Sequence, residues 1–191
     1  MVKTIGYCLV FLALASMCAA PSTAQKVVTA PDGERTLQLT SGAQSAVEAY
    51  ESAHSDMQPA NCKTLGYDKK YCDDQYGQWL MAVEGAKAAP QYEYAVWGDF
   101  RHTGATDVAI PFFSKQAVNN FGWRRWEFIV FENLGADRYR PVTALKGSWG
   151  ACFDGVLFHP ARKQIEFWCN SMGGHFKWNG TTFVGRLEKG D

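Results

Sequence analysis

The sequence predicts an α+β domain, in which two N-terminal helices precede an antiparallel meander of about seven or eight strands. Two observations predict this class. Before residue 90 the apolar residues recur with the 3.6-residue period of a helix, and from residue 91 they alternate with the period of 2 that is typical of a strand. Helices gathered ahead of an antiparallel sheet distinguish α+β domains from folds that alternate the two elements.

Two segments have helical periodicity. The first is predicted from about Gly42 to His54, and it begins at a Ser41-x-x-Gln44 capping box, in which each side chain satisfies a free backbone N–H. The second is predicted to begin at the carboxylates of residues 73–74 and to stop before Pro90. Its apolar face consists of Cys72, Tyr76, Trp79, Leu80, Val83 and Ala86.

The strands are predicted from alternating or continuous apolar runs. Segment 125–131 is the most apolar and should be central, whereas segment 139–145 should end at a Lys146-Gly147 break. Asn179-Gly180 predicts a tight hairpin, because both central residues of such a turn adopt positive φ. The predicted strands are 92–97, 108–113, 125–131, 139–145, 155–158, 164–169, 175–178 and 181–184.

The first residues have the organisation of a secretory signal. A lone cation, Lys3, precedes an apolar run at 5–17 that is too short to span a bilayer comfortably. Small residues then allow cleavage after Ala20 or Ala24, and Ala24 is preferred because a polar segment follows it. We therefore predict a signal peptide at 1–24, a polar leader at 25–40, a single domain at 41–191, and a secreted or periplasmic location.

Removal of the signal leaves four cysteines of the six in the chain. An even number of cysteines in an exported chain favours disulfides over metal or redox chemistry. Three pairings are possible, and proximity in sequence favours Cys62 with Cys72 and Cys152 with Cys169. No Cys-x-x-Cys motif is present, so the cysteines do not indicate a zinc site.

The charge balance gives no support to functions that need a strongly basic or strongly acidic surface. The chain has 19 basic and 19 acidic residues, and its formal net charge is +0. A near-neutral surface gives no electrostatic reason to expect binding of nucleic acid or of an anionic membrane. Because no second long apolar run follows, we expect no membrane association after signal cleavage.

A short acidic and glycine-containing turn joins the first two predicted strands. The segment from Trp97 to Ile110, which contains Gly98-Asp-Phe-Arg-His-Thr-Gly104, resembles one FG-GAP or VCBS-type repeat. The resemblance implies a hairpin whose loop carboxylates, here Asp99 and Asp107, bind calcium in that family. Arg101 and Thr103 occupy the inner ligand positions, and a cation cannot coordinate calcium, so we expect no metal and no other cofactor.

Aromatic residues and the departures from that repeat are the candidate ligand-binding residues. Trp168 shares one face of its predicted strand with Gln164 and Glu166, and Trp97 is the second candidate for an exposed indole. Arg101 and His102 are the further candidates in the turn. Such residues favour a non-catalytic binding domain that recognises a protein partner or a cell-wall glycan.

The alternative is a small exported hydrolase. It would use His102 with Asp99 or Asp107, or His159 with Asp154, as acid–base pairs. No serine lies in a Gly-x-Ser-x-Gly elbow, and cysteines in disulfides supply no thiolate nucleophile. Enzymatic activity therefore stays open, and the binding function is preferred.

Overall fold

The computed structural model describes residues 23–33, 35–68, 87–150, 155–169 and 172–189. Neither of the α-helices in this part of the chain is long and apolar enough to cross a membrane. The elements are β1 (Gln25–Thr29), β2 (Arg35–Leu39), α1 (Ser41–Ala53), β3 (Met57–Pro59), α2 (Cys62–Leu65), β4 (Lys87–Ala88), a 3₁₀ turn (Pro90–Tyr92), β5 (Val96–Gly98), β6 (Asp107–Ser114), β7 (Trp123–Asn133), β8 (Tyr139–Gly150), β9 (Gly155–His159), β10 (Gln164–Cys169), β11 (Met172–Trp178) and β12 (Phe183–Lys189).

The predicted class, α+β with two N-terminal helices before a meander, is wrong. The described chain is mostly strand, and strands lie before, between and after its two helices. The predicted polar leader forms the hairpin of β1 and β2, because Leu37 and Leu39 are buried on alternate positions while Gly33, at φ +88°, closes the turn. The second predicted helix lies outside the described residues.

The strands form three sheets. The N-terminal sheet has the order β1-β2-β4, with β2 and β4 parallel. The central sheet has the order β3-β6-β7-β8, and β5 also pairs with β6. The C-terminal sheet has the order β12-β11-β10-β9. The predicted antiparallel pairing is therefore confirmed for the central and C-terminal sheets.

The central sheet is covered on both faces. All eight residues of β6 are buried, and β7 is buried from Phe128 to Asn133. This confirms that segment 125–131 is central, since β7 pairs with β6 on one side and β8 on the other. A strand with two buried faces has a continuous apolar run, which explains the sequence of β7.

Two apolar cores result from this arrangement. The first lies between the central and C-terminal sheets, and its large buried side chains include Trp126, Phe128, Phe167 and Phe176. The second lies between the other face of the central sheet and α1. It contains Val47, Tyr50, Val108, Ile110, Phe112, Ile129 and Phe131. Successive residues of β6 and β7 alternate between the two cores, as side chains do along a strand.

Several strand predictions need correction. Residues 90–92 form a 3₁₀ turn, and β5 begins only at Val96. Strand β8 continues to Gly150 without a break at Gly147, and a bulge at Ala144 absorbs one extra residue opposite β7. The Asn179-Gly180 hairpin is confirmed as β11–β12, but it has a wider loop in which the Asn179 side chain accepts two backbone N–H groups.

The predicted helix α1 is confirmed, but the predicted capping box is not. Thr40 is the N-cap, and the Gln44 side chain donates to Glu48 instead. Asp137, from the turn between β7 and β8, accepts hydrogen bonds from Thr40, Ser41 and the Gly42 backbone N–H. Desolvation alone would raise the pKa of Asp137, but these hydrogen bonds prevail and hold that pKa below its ordinary value. A carboxylate therefore completes the helix N-terminus, where the helix dipole favours negative charge.

We expect Gly42→Ala to destabilise the domain, although alanine normally favours a helix over glycine. A Cβ at Gly42 would lie 1.6 Å from the carbonyl oxygen of Asp137, so the turn must move away from the helix. The free energy of unfolding should fall by about 1–3 kcal/mol in urea titrations. The exposed Ser45→Ala in the same helix is the control, and it should be neutral or slightly stabilising. Equal stability of Gly42→Ala and wild type would contradict the close contact.

Candidate functional site

The turn between β5 and β6 is closed by its own side chains. Asp99 accepts the backbone N–H groups of Thr103 at 2.8 Å and Gly104 at 3.0 Å. His102 adopts a left-handed φ of 63° and is exposed. A carboxylate that accepts two backbone N–H groups is typical of a structural turn.

The positively charged side chain of Arg101 lies beside this turn and pairs with Asp107. Its Nε and Nη2 atoms donate to the two carboxylate oxygens of Asp107, at 3.1 and 2.8 Å. Nη2 also donates to the carbonyl oxygen of Asn133 at 2.9 Å. The side chain of Asp107 is fully buried, and that of Arg101 is 11% exposed. The pair is therefore a bidentate ion pair at the end of the central strands.

A second buried carboxylate extends the network. Glu132 lies 3.8 Å from Nε of Arg101, and it also accepts a 3.0 Å hydrogen bond from Nε of Arg140. Burial would lower the pKa of Arg101, but the hydrogen bond and charge of Asp107 and the charge of Glu132 raise it. Burial raises the pKa of Asp107, whereas Arg101 and the Asn133 backbone N–H act to lower it. Two carboxylates removed from water are thus matched by two cations, because Arg101 lies beside both of them and Arg140 pairs with Glu132.

Arg101 occupies an inner position of the turn, where the repeat predicted from sequence would have a calcium ligand. The cation between Asp107 and Glu132 is an arginine of the chain itself. Within the described ranges, no group of three or more His, Cys, Asp or Glu side chains is placed to hold a metal ion. Arg101 is committed to a structural ion pair, so of the two turn candidates only His102 faces solvent.

The outer face of the C-terminal sheet carries the other candidate. Along β10 the side chains alternate, with Ile165, Phe167 and Cys169 buried and Trp168 half-buried on the opposite face. Trp168 lies between two glycines, since it is paired with Gly155 of β9 and Gly173 of β11. A Cβ at Gly155 would lie 2.2 Å from Cζ2 of Trp168, so the indole rests directly on the backbone of β9.

A cleft of about 410 Å³ lies on this face. Its volume is within the range of small-ligand sites, about 300–1,000 Å³. Besides the indole it presents carboxylate, imidazole, amide and guanidinium groups, and Gly173 and Gly174 of β11 also line it. The side chains are Arg162, Gln164, Glu166, Trp168, His175 and Glu188. We call this site the Trp168 cleft.

Neighbouring donors hold the two carboxylates of the cleft in place. Glu166 lies 2.9 Å from His159 Nε2, and it accepts a 2.9 Å hydrogen bond from the Gln164 amide. Glu188 lies 3.2 Å from His175 Nδ1 and 2.8 Å from Arg186 Nη2. The polar atoms of the cleft are therefore oriented before any ligand arrives, which lowers the entropic cost of binding.

The remaining predicted residues are dispersed. Trp97 is half-buried against the core between the central sheet and α1, so it is not part of the Trp168 cleft. Cys62 and Cys169 are buried, and each of them takes part in a disulfide. Cys72 and Cys152 lie outside the described residues. The pairings of Cys62 with Cys72 and of Cys152 with Cys169 stay predictions.

The predicted catalytic pairs do not form among the described residues. Asp107 is buried against Arg101, and Asp99 is occupied by the backbone of its turn. Asp154 lies outside the described residues, and His159 is paired with Glu166 instead.

Sequence reasoning missed the residues that come from neighbouring strands. His175 and Glu188 belong to β11 and β12, and their places in the cleft depend on the register across a loop of residues 179–182. The sequence contained one indication of this site, the pair Gly173-Gly174. The pair is too short to be a phosphate-binding loop. Two glycines within a strand indicate open space or a close approach by another group.

No protein-family model, curated protein or solved structure matches this chain. The interpretation of the site therefore depends on its geometry, and the FG-GAP-like character of residues 97–110 stays an interpretation of the sequence.

We expect Arg101→Gln to destabilise the domain strongly, because it leaves Asp107 and Glu132 buried without their shared cation. Breaking a buried ion pair by removal of one partner costs about 3–5 kcal/mol, measured as the free energy of unfolding in guanidinium chloride. Arg140→Gln is the matched control, since it also pairs with Glu132 but is 63% exposed. That variant should lose at most about 1 kcal/mol. Equal losses would contradict the central role of Arg101.

The loss in free energy of unfolding caused by Arg101→Gln should also depend on pH. Without the guanidinium the pKa of Asp107 rises further, so the folded state binds the proton more tightly than the unfolded chain. A group whose folded pKa is raised loses its contribution to stability as pH rises through that pKa. The difference in free energy of unfolding between variant and wild type should therefore become smaller as the pH is lowered from about 7 to about 4, as measured by guanidinium chloride titration at each pH.

Proposed function

We propose that this chain is an exported, disulfide-stabilised binding domain, which recognises a glycan in the Trp168 cleft. The observation that supports this function best is the position of Trp168, half-buried between Gly155 and Gly173 and beside two oriented carboxylates. An aromatic ring can cover the apolar face of a sugar, while planar polar groups bind its hydroxyls. A cell-wall glycan is the class of ligand that an exported chain would meet.

A protein partner is the second candidate ligand. A tryptophan within a polar rim is also a typical centre of a protein–protein interface. The cleft favours the glycan, because most of the side chains that line it beside the indole carry hydrogen-bonding groups. The buried ion pair of Arg101 with Asp107 contributes to the scaffold in either case.

A hydrolase is the alternative from another functional class, and one contact favours it. His159 Nε2 lies 2.9 Å from Glu166, which lines the cleft. An imidazole oriented by a carboxylate can act as a general acid or base. Because Gln164 and Arg162 also hold Glu166, this carboxylate is positioned by three neighbours, as expected for a binding rim.

We expect Trp168→Ala to lower the affinity for soluble cell-wall fragments by at least about tenfold, because removal of a central aromatic group costs about 2 kcal/mol or more. The measurement is isothermal titration of the purified protein with size-graded fragments. Trp123→Ala is the control, because it removes a 45% exposed indole that does not line the Trp168 cleft. This variant should bind as wild type does.

A second variant keeps the test decisive if Trp168→Ala fails to fold. Glu188→Gln alters a 48% exposed side chain at the rim and should weaken binding without unfolding the domain. If wild type binds no fragment, or if both variants bind as wild type does, the glycan proposal is wrong. If wild type cleaves the fragments and His159→Ala abolishes cleavage, the hydrolase is correct.

The contacts of residues 23 and 24 favour the earlier of the two predicted cleavage sites. Ala24 is fully buried, its carbonyl accepts the Thr40 N–H at 3.1 Å, and the carbonyl of Thr23 accepts the hydroxyl of Tyr139. Cleavage after Ala24, the preferred site from sequence, would remove these contacts, whereas cleavage after Ala20 keeps them. We expect N-terminal sequencing of the exported protein to begin at Pro21. A sequence that begins at Gln25 would contradict this choice.

A further inference from the structure

The two carboxylates of the Trp168 cleft are bound differently by their neighbours. Glu166 has a protein partner on each of its oxygens. Glu188 is bound through Oε1 alone, which lies 3.2 Å from His175 Nδ1, 2.9 Å from Arg186 Nε and 2.8 Å from Arg186 Nη2. Among the described residues no donor is bonded to Oε2 of Glu188, so this oxygen can accept hydrogen bonds from a ligand.

The contact with Glu188 also fixes the hydrogen on the His175 ring. A carboxylate oxygen only accepts hydrogen bonds, so the hydrogen lies on Nδ1, the ring nitrogen that faces Glu188. In the neutral imidazole the other nitrogen, Nε2, then carries a lone pair, and no donor from the described part of the chain is bonded to it. Both side chains line the cleft, so His175 adds a second acceptor beside Oε2 of Glu188.

Strand register places Glu188 beyond a residue that has no side chain. Trp168, Gly173 and Glu188 lie in one row across three strands, so the first and the last are two strand spacings apart, about 10 Å between backbones. The indole is inclined towards β9, because its ring comes within 2.2 Å of a Cβ built at Gly155. The Trp168 atoms nearest a Cβ at Gly173 are Cα and Cβ, both at 3.7 Å. A ligand can therefore lie between the indole and Glu188.

These contacts define what the part of a ligand next to the indole must supply. It must donate two hydrogen bonds, one to Glu188 and one to His175. Arg186 already pairs with Glu188, so this carboxylate does not require a cationic ligand. Two adjacent hydroxyls of a sugar ring donate in this way. An acetamido group has one N–H and a carbonyl oxygen, and that oxygen would face an acceptor without a hydrogen between them.

We propose that the Trp168 cleft selects glycans whose sugars carry adjacent free hydroxyls, and discriminates against glycans in which an acetamido group replaces one of these hydroxyls. The sugar ring packs on Trp168, and its two hydroxyls donate to Oε2 of Glu188 and Nε2 of His175. This selectivity rests on the glycan-binding function proposed above, and it names the class of glycan for the same site.

The test compares oligosaccharides of equal length by isothermal titration of the purified protein. The first set consists of glucose, xylose and mannose chains, which have adjacent free hydroxyls. The comparison ligand is a chain of N-acetylglucosamine, in which an acetamido group replaces one hydroxyl of each sugar in the glucose chain. Wild type should bind the best ligand of the first set at least about tenfold more tightly than the comparison ligand.

Two results would overturn the selectivity and leave the glycan function standing. In one, wild type binds the N-acetylglucosamine chain at least as tightly as every chain of the first set. In the other, it binds cell-wall fragments but no chain of the first set. If wild type binds no glycan at all, the glycan function fails, and the selectivity fails with it.

Glu188→Gln tests the acceptor itself at almost constant shape. The donors of His175 and Arg186 retain the amide oxygen, so the amide NH₂ takes the place of Oε2 and a donor replaces an acceptor. Affinity for the best chain of the first set should fall by about tenfold, while affinity for the N-acetylglucosamine chain should not fall.

The matched control is Glu48→Gln, which changes an exposed glutamate of α1 and should bind as wild type does. Thermal denaturation should show both variants to be folded. A Glu188→Gln variant that keeps the wild-type preference would overturn the proposal, and the comparison of ligands on wild type decides the question if that variant does not fold.

Discussion

Burial of β6 and β7 on both faces is the constraint on which the rest of this structure depends. A sheet between two apolar layers needs a cover on each side, and here α1 with the N-terminal hairpin covers one face while the C-terminal sheet covers the other. The same burial explains the Arg101 network. Asp107 begins β6 and Glu132 is near the end of β7, so both carboxylates lie at the edge of the dry layer and need a cation there.

Local periodicity predicted the elements whose partners are close in sequence. Helix α1 has a regular apolar face, β7 has a continuous apolar run, and the turns at 160–163 and 179–182 are short, so these elements were predicted correctly. The hairpin of β1 and β2 was missed because its outward residues, such as Lys26 and Gln38, are polar. The fold class failed for the same reason, since a helix count before residue 90 cannot detect strands that bury only two leucines, Leu37 and Leu39.

Prediction of the site failed where register decides the outcome. The alternation of β10 placed Trp168 opposite the buried Phe167 without any knowledge of the fold. His175 and Glu188 could not be assigned, because a shift of one residue between strands would turn each of them to the other face. Arg101 was recognised as a break in the calcium pattern. The contacts of Glu132 with Arg101 and with Arg140 could not be recognised, because ion pairs between separate strands leave no local pattern.

The proposed binding surface lies away from the two cores. The Trp168 cleft uses the exposed face of the C-terminal sheet, whose inner face supplies Phe167 and Phe176 to the core. The strands that carry Trp168 and its neighbours therefore also pack against the core, so the cleft is supported by a rigid element.

The capping of α1 by Asp137 has a consequence for the order in which the chain can assemble. A helix of 13 residues is marginal alone in water, and the carboxylate that completes its N-terminus is encoded about 95 residues later. When the chain emerges from the ribosome or a translocon with its N-terminus first, α1 has neither that carboxylate nor the central sheet beneath it. We therefore expect α1 to become stable only after the β7–β8 hairpin has formed, which places its folding late in synthesis.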